Sequence, residues 1–230
     1  MRTIGLIGGL SWESTAIYYQ IINQRVRERL GGSHSANSLI WSVDYTVVED
    51  LIFADRWDEV GEMLAGAGVK LETMGAELLL ICSNTFSRVN DEVERAATVP
   101  VLHIADAVGA EVSARGMRKV GLLGTRFTME EAFYRDRLTR HGFEVIVPEQ
   151  DERDLVHRVI FEELIRGVLH PSSRDAYVGT IDNLAAQGAE AVILGCTEIE
   201  LLITDKDTAI PLLPSARLHA EAAANFALQG

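Results

Sequence analysis

Short apolar runs alternate along the chain with longer stretches in which apolar residues recur every three or four positions. That alternation predicts strands followed by amphipathic helices. Residues 3–7 read as a strand, and Gly8-Gly9-Leu10-Ser11 as a turn. Tyr18, Ile22, Val26 and Leu30 then recur at spacing four and predict a helix. Ser11 is its N-cap, Glu13 lies in its first turn, and Gly31-Gly32 stops it. Residues 38–44 read as a second strand and residues 47–56 as irregular. Val60, Leu64, Leu71 and Met74 mark one face of a second helix, which Gly75 closes. A buried strand follows and ends at Cys82-Ser83-Asn84-Thr85, then a short polar helix and a fourth strand at residues 101–104.

The second half repeats this grammar. Lys119–Gly124 reads as a strand, and Thr128-Met129-Glu130-Glu131 as a capping box that starts a helix ended by Gly142. Residues 145–147 form a strand, residues 151–166 and 173–187 helices, residues 191–194 a buried strand and residues 210–213 the last strand. An Ala-rich helix covers residues 215–228. The likeness extends to residue identities. TIGLIGGL at residues 3–10 matches KVGLLGTR at 119–126, GAELLLICSNT at 75–85 matches GAEAVILGCTE at 188–198, and the strand after Pro100 matches the one after Pro211. The matches keep their order at a nearly constant spacing of roughly 110 residues, too long for a solenoid repeat. They point to two copies of one α/β domain. The predicted fold is therefore two pseudo-symmetric, three-layer α/β domains with mainly parallel sheets and a cleft between them. The first domain takes residues 1–104 with the returning segment 212–230, and the second takes residues 105–211.

Composition narrows the partners. The chain has 230 residues and a net charge of −13, which argues against nucleic acids and anionic membranes as partners. No apolar run approaches the roughly 20 residues of a membrane span, and the N-terminus lacks a signal-peptide layout, so the expected location is the cytoplasm. Two cysteines, Cys82 and Cys196, make neither a disulfide framework nor a zinc site. Gly5-x-x-Gly8-Gly9 lacks the spacing of the dinucleotide fingerprint.

The chemistry concentrates where the repeats end. In alignment, Ser83 meets Cys196, Asn84 meets Thr197 and Thr85 meets Glu198, so each half places a hydroxyl or thiol just past a buried strand. Open α/β sheets build their ligand sites there. Free N–H groups at the start of the following element are expected to lower the Cys196 thiol pKa. A cysteine hydrolase would need a histidine beside the thiol. His103 and His219 instead fall at equivalent points of the repeat and read as structural. Two opposed groups suit a different reaction, in which a proton leaves one face of a carbon and another returns to the opposite face.

IGLIGGLSWEST near the N-terminus, SNT at residues 83–85, LLGTR at 122–126 and GCTE at 195–198 together resemble the aspartate/glutamate racemase family, in particular its broad amino-acid racemase branch. The resemblance spans nearly the whole chain. It implies an isomerase of two α/β domains, a homodimer acting on a small amino acid with no pyridoxal phosphate, no metal and no other cofactor, and with one cysteine per domain as the two bases. By position, Cys196 matches the second-domain cysteine. Asn84, Thr85, Thr125 and Thr197 match residues that hold the amino acid's α-carboxylate and ammonium. Leu10 stands where the family often has Met, and Glu198 is placed to meet the ammonium.

The sequence departs from the family at the first cysteine, which normally precedes Asn-Thr directly. Ser83 occupies that place, and Cys82 lies one residue earlier, on the opposite face of a strand. A serine hydroxyl is a far poorer base than a thiolate, so Cys196 and Ser83 are expected to serve the two faces unequally. Residues that would hold a side-chain carboxylate are also replaced, with Ile52 and Ile165 near the expected points and Arg56 or Arg166 as substitutes or plain surface arginines. Two alternatives stay open: a relative acting on another small carboxylate or a hydantoin, and a non-catalytic amino-acid-binding protein.

Overall fold

The computed structural model describes residues 1–229 and divides into two compact units. One comprises Met1–Ile104 together with the chain from Ala216 onward, and the other Ala105–Ser215.

The first unit runs β1 (Ile4–Gly8), α1 (Trp12–Leu30), β2 (Ser38–Ser42), α2 (Tyr45–Phe53), α3 (Trp57–Thr73), β3 (Leu78–Ile81), a 3-10 turn (Thr85–Val89) leading into α4 (Asn90–Ala96), and β4 (Val101–Leu102). Its sheet is wholly parallel, in the order β2-β1-β3-β4, with Ile4 opposite Leu78 and Ile7 opposite Ile81. Parallel strands covered on both faces need continuous apolar runs, and β1 and β3 are buried throughout. Their side chains alternate between two layers. Ile4, Leu6, Leu78, Leu80 and Cys82 pack with Tyr18 and Ile22 of α1 and with Ala216, Ala220, Ala223 and Ala227 of the C-terminal helix. Ile7 and Leu79 point the other way, where the bare Gly68 of α3 admits them. The alanines of the C-terminal helix are what allow it to lie close to the sheet. That helix is also latched by Tyr18 Oη at 2.8 Å from His219 Nδ1, while His219 Nε2 lies 2.8 Å from the Leu102 carbonyl oxygen. A carbonyl only accepts, so Nε2 carries the proton and Nδ1 accepts from the phenol.

The second unit runs α5 (Ile104–Ala114), which starts at the unit boundary, then β5 (Lys119–Gly124), α6 (Arg126–Glu130), α7 (Ala132–Thr139), β6 (Glu144–Ile146), α8 (Gln150–Glu162), a 3-10 turn (Leu164–Arg166), α9 (Pro171–Ala186), β7 (Val192–Gly195), α10 (Ile199–Leu202) and β8 (Leu212–Pro214). The chain then enters α11 (Ser215–Leu228), the C-terminal helix of the first unit. The second sheet has the order β6-β5-β7-β8, again all parallel. The two sheets thus share one topology, as the internal repeat predicts. One face of the second sheet packs Leu123, Val192 and Leu194 against Val156 and Ile160 of α8 and Tyr177, Ile181 and Leu184 of α9.

Three local expectations are corrected. Residues 47–56 are mostly helical, because Asp44 caps α2 by accepting from the Thr46 N–H, and Val48 and Ile52 share a buried face. Only residues 54–56 break the chain, with Asp55 at a φ of 55°. Leu30 and Met74, at the last turns of their predicted faces, are exposed. The second-unit boundary falls after β8, not before it, since β8 hydrogen-bonds to β7.

The turn after β1 depends on Gly9. Its φ is 79°, and a Cβ there would lie 2.2 Å from the Val43 carbonyl oxygen. Gly9→Ala is expected to lower unfolding free energy by more than the ~1–2 kcal/mol of left-handed strain alone. Gly32→Ala, also at positive φ but with open space around it, should cost only that strain. Urea denaturation of both variants checks the difference.

Candidate active site

In each sheet the chain crosses outward in both directions from a central pair of strands. The topological switch therefore lies between β1 and β3 in the first unit and between β5 and β7 in the second. Ligands of open α/β sheets bind outside the carboxyl ends of the strands at such points. Leu10, Ser83, Asn84, Thr85, Thr125, Cys196, Thr197 and Glu198 each lie in one of the four segments that leave these strands.

In the first unit the two strands end level, with the Cys82 N–H donating to the Ile7 carbonyl at 3.0 Å. After β1, Gly9 N–H donates to Thr15 Oγ1 (2.9 Å) and Ser11 Oγ accepts from the Ser14 N–H (3.2 Å), which pins the turn that carries the buried Leu10 to α1. After β3, Ser83 is partly buried and its Oγ accepts from the Phe86 N–H at 3.4 Å. The Asn84 carbonyl accepts from Ser87 Oγ (2.7 Å) and Asn84 itself is buried, while Thr85 opens the 3-10 turn. Cys82 lies in the core with Leu78 and Leu80, and burial pushes its thiol well above the ordinary range. Ser83, one residue on, leaves the strand for the polar turn.

In the second unit Gly124 and Gly195 face each other across β5 and β7. A Cβ on Gly195 would lie 2.8 Å from the Leu123 carbonyl oxygen, so the strands can end this close only as glycines. Thr125 caps α6, its Oγ1 accepting from the Thr128 N–H at 3.4 Å. The helix therefore begins earlier than the Thr128 capping box predicts, and Thr128 is a fully buried residue inside it.

Cys196 follows Gly195 directly. It is partly buried, packs against the core on the α8–α9 side, and its Sγ–H donates to Glu198 Oε2 at 2.9 Å. Thr197 and Glu198 are buried beside it. Burial, then the Glu198 carboxylate, and more weakly Glu200, raise the thiol pKa well above its usual value. The expectation of a lowered pKa is thereby reversed. The element that follows, α10, has four residues and little macrodipole, whereas a carboxylate stands within hydrogen-bonding distance.

The arginines suggested for a side-chain carboxylate are placed otherwise. Arg56 holds Glu59 by two bonds, Nε to Oε1 at 2.5 Å and Nη2 to Oε2 at 2.6 Å. Arg166 is exposed at the end of its 3-10 turn, and Ile52 is buried. Sequence reasoning missed His157. From α8 its Nδ1 accepts the Arg126 N–H (3.1 Å), next to Thr125, while Asp154 pairs with the Arg126 guanidinium (2.8 Å). The contacts cross from one helix to another, and no local pattern announces them. Among the described residues no group of three or more His, Cys, Asp or Glu could hold a metal ion, and no helix is long and apolar enough to cross a membrane.

Two parallel α/β sheets of one topology, each with polar turns at the carboxyl ends of its central strands, define a class of two-unit α/β proteins. Within that class, the chain belongs to the Asp/Glu/Hydantoin racemase family, a family of isomerases, whose sequence profile matches residues 7–223. It is 25% identical over 219 residues to the broad specificity amino-acid racemase RacX of Bacillus subtilis (strain 168), covering 93% of this chain and 92% of RacX. A crystal structure assigned as an Asp/Glu racemase from Yersinia pestis superposes with a TM-score of 0.95 at 47% identity over 100% of both chains. An aspartate racemase homologue from Pyrococcus horikoshii OT3 superposes with a TM-score of 0.87 at 35% identity, over 99% of this chain and 100% of that one.

The buried setting of His157 and the nearby Arg126 charge hold its pKa below the ordinary 6.5. The unfolded chain then binds the proton more readily, so this stabilisation is present above about pH 6.5 and is lost as pH falls toward the folded pKa. Unfolding free energies measured across pH 5 to 8 should fall on the acid side. His157→Asn, which keeps an acceptor for the Arg126 N–H but no titrating ring, should flatten that slope.

Proposed function

We propose that the protein inverts the α-carbon of an amino acid, aspartate, glutamate or a related one, by removing the α-proton from one face and returning a proton to the other. Cys196 is one acid/base group, and Ser83 stands in the place of the second. The observation that carries this reading is the Cys196 thiol at the carboxyl end of β7, hydrogen-bonded to the buried Glu198 carboxylate. A thiolate takes a proton and a thiol gives one back, so the same side chain serves removal and return of the α-proton. Asn84, Thr85, Thr125 and Thr197 supply hydroxyl, amide and backbone groups to the α-carboxylate and ammonium. Leu10 borders the α-carbon, and Glu198 meets the ammonium.

Chemistry on this plan needs neither pyridoxal phosphate nor a metal, since the two groups act directly on the Cα–H bond. The resemblance to the family extends the reading to a cytoplasmic homodimer. Ser83 makes the two faces unequal, so kcat and KM differ together between the directions while kcat/KM, tied by an equilibrium constant of one, is the same for both. Its hydroxyl holds its proton at neutral pH, so it donates or relays a proton far better than it removes one.

Racemisation of L- and D-aspartate and L- and D-glutamate, followed by chiral chromatography, tests the assignment. Cys196→Ala should lose about 100-fold or more of the activity, the usual size of one acid/base group. Ser83→Cys should raise turnover in the slower direction. Unchanged activity in Cys196→Ala, or no gain in Ser83→Cys, would count against the respective role.

A further inference from the structure

We propose that Glu198 is a positioning residue that holds Cys196 as a thiol until the ammonium group of an α-amino acid claims its carboxylate. The inference rests on the racemase reading and deepens it, because it selects among the family's substrate classes. The geometry is specific. The Cys196 Sγ–H donates to Glu198 Oε2 at 2.9 Å, two residues along the same turn, and Glu198 is 9% exposed. Of the other groups that face the thiol, the Glu198 backbone N–H favours the thiolate, but less strongly than burial and the Glu198 carboxylate oppose it. Glu200 adds negative charge, and Tyr177 of α9, itself close to Glu163, donates its hydroxyl to the Val156 carbonyl at 2.9 Å.

A negative charge that accepts the thiol proton stabilises S–H and destabilises S⁻. With that charge beside it, Cys196 is an unreactive nucleophile and a weak base. A cation brought beside Glu198 reverses the balance. It cancels the negative field at sulfur and occupies carboxylate lone pairs, and Cys196 then loses its proton to solvent and becomes the thiolate that can take the α-proton. In an α-amino acid the ammonium is bonded to the carbon whose proton is removed, so substrate binding and thiolate formation coincide. A hydantoin carries an acylated, uncharged ring nitrogen at that place and cannot supply the charge. The site accordingly takes amino acids with a free ammonium and does not take hydantoins.

The test has two arms. In the first, the free protein is alkylated with iodoacetamide between pH 6 and 10, and modification of the Cys196 peptide is followed by mass spectrometry. Glu198→Gln should move the rate profile to lower pH, with alkylation near neutrality faster by about tenfold for each pH unit that the midpoint moves. Glu198→Asp keeps the charge but shortens the reach to sulfur, and should move the profile the same way by a smaller amount. Circular dichroism verifies the fold of both variants. A Glu198→Gln profile that coincides with the native one, or moves to higher pH, would overturn the proposal. If Glu198→Gln fails to fold, a Glu198→Asp profile displaced toward lower pH would still support the proposal, because a shortened side chain weakens the thiol contact, and one that is unchanged in both rate and midpoint would overturn it.

In the second arm, the native protein is given aspartate or 5-carboxymethylhydantoin in D₂O. Exchange at the carbon of aspartate only is expected, and comparable enzyme-dependent exchange of the hydantoin would overturn the substrate assignment. If neither compound exchanges, the aspartate part of the racemase reading fails, and the alkylation profile still decides the coupling of Glu198 to Cys196.

Discussion

The structure depends on one constraint: both central strand pairs are buried on both faces. A parallel sheet covered by helices on each side has no room for polar side chains along its length, and β1, β3 and β7 carry none. Reactive groups are confined to the ends. At the carboxyl ends of β1 and β3, and of β5 and β7, the chain departs to opposite sides, and the polar turns gather there. Glycines make the arrangement tight. Gly9 allows a turn against the Val43 backbone, and Gly124 and Gly195 let two strands finish side by side. Ser83 and Cys196 are each the first residue free to be polar after a run that cannot be.

The same constraint explains why so much is legible in the sequence. Apolar runs ended by Cys82 and then Ser-Asn-Thr, or by Gly195 and then Cys-Thr-Glu, mark the strand ends directly. The internal repeat anticipates that both sheets have one strand order. The face of Cys82 follows from its one-residue offset, and it does lie among Leu78, Leu80 and the alanines of α11. The failures have physical reasons. α2 escapes the pattern because Thr46, Val47 and Val48 favour strand locally, whereas the Asp44 cap and the burial of Val48 and Ile52 decide for helix. The His157–Arg126 bond joins residues on separate helices, which no periodicity encodes. The direction of the Cys196 pKa change runs against the sequence expectation because burial, and then a carboxylate two residues away, outweigh the start of a four-residue helix.

That thiol–carboxylate contact gives the site its character. A cysteine meant for attack on a carbonyl is kept as a thiolate by a neighbouring cation. Cys196 has an anion beside it, which suits a group that must hold a proton, release it when a charged ligand arrives and take one back. In the first unit the hydroxyl of Ser83 is bound into a turn as an acceptor from the Phe86 N–H. The two ends are chemically unlike although their strands are alike.

The most direct test of the central claim is α-proton exchange in D₂O, followed by proton NMR, with each enantiomer of aspartate and glutamate offered separately. The account predicts exchange with at least one enantiomer, faster from one hand than from the other, and its loss in Cys196→Ala. Exchange at the native rate in Cys196→Ala would contradict it, because the group that removes or returns the α-proton would then lie elsewhere.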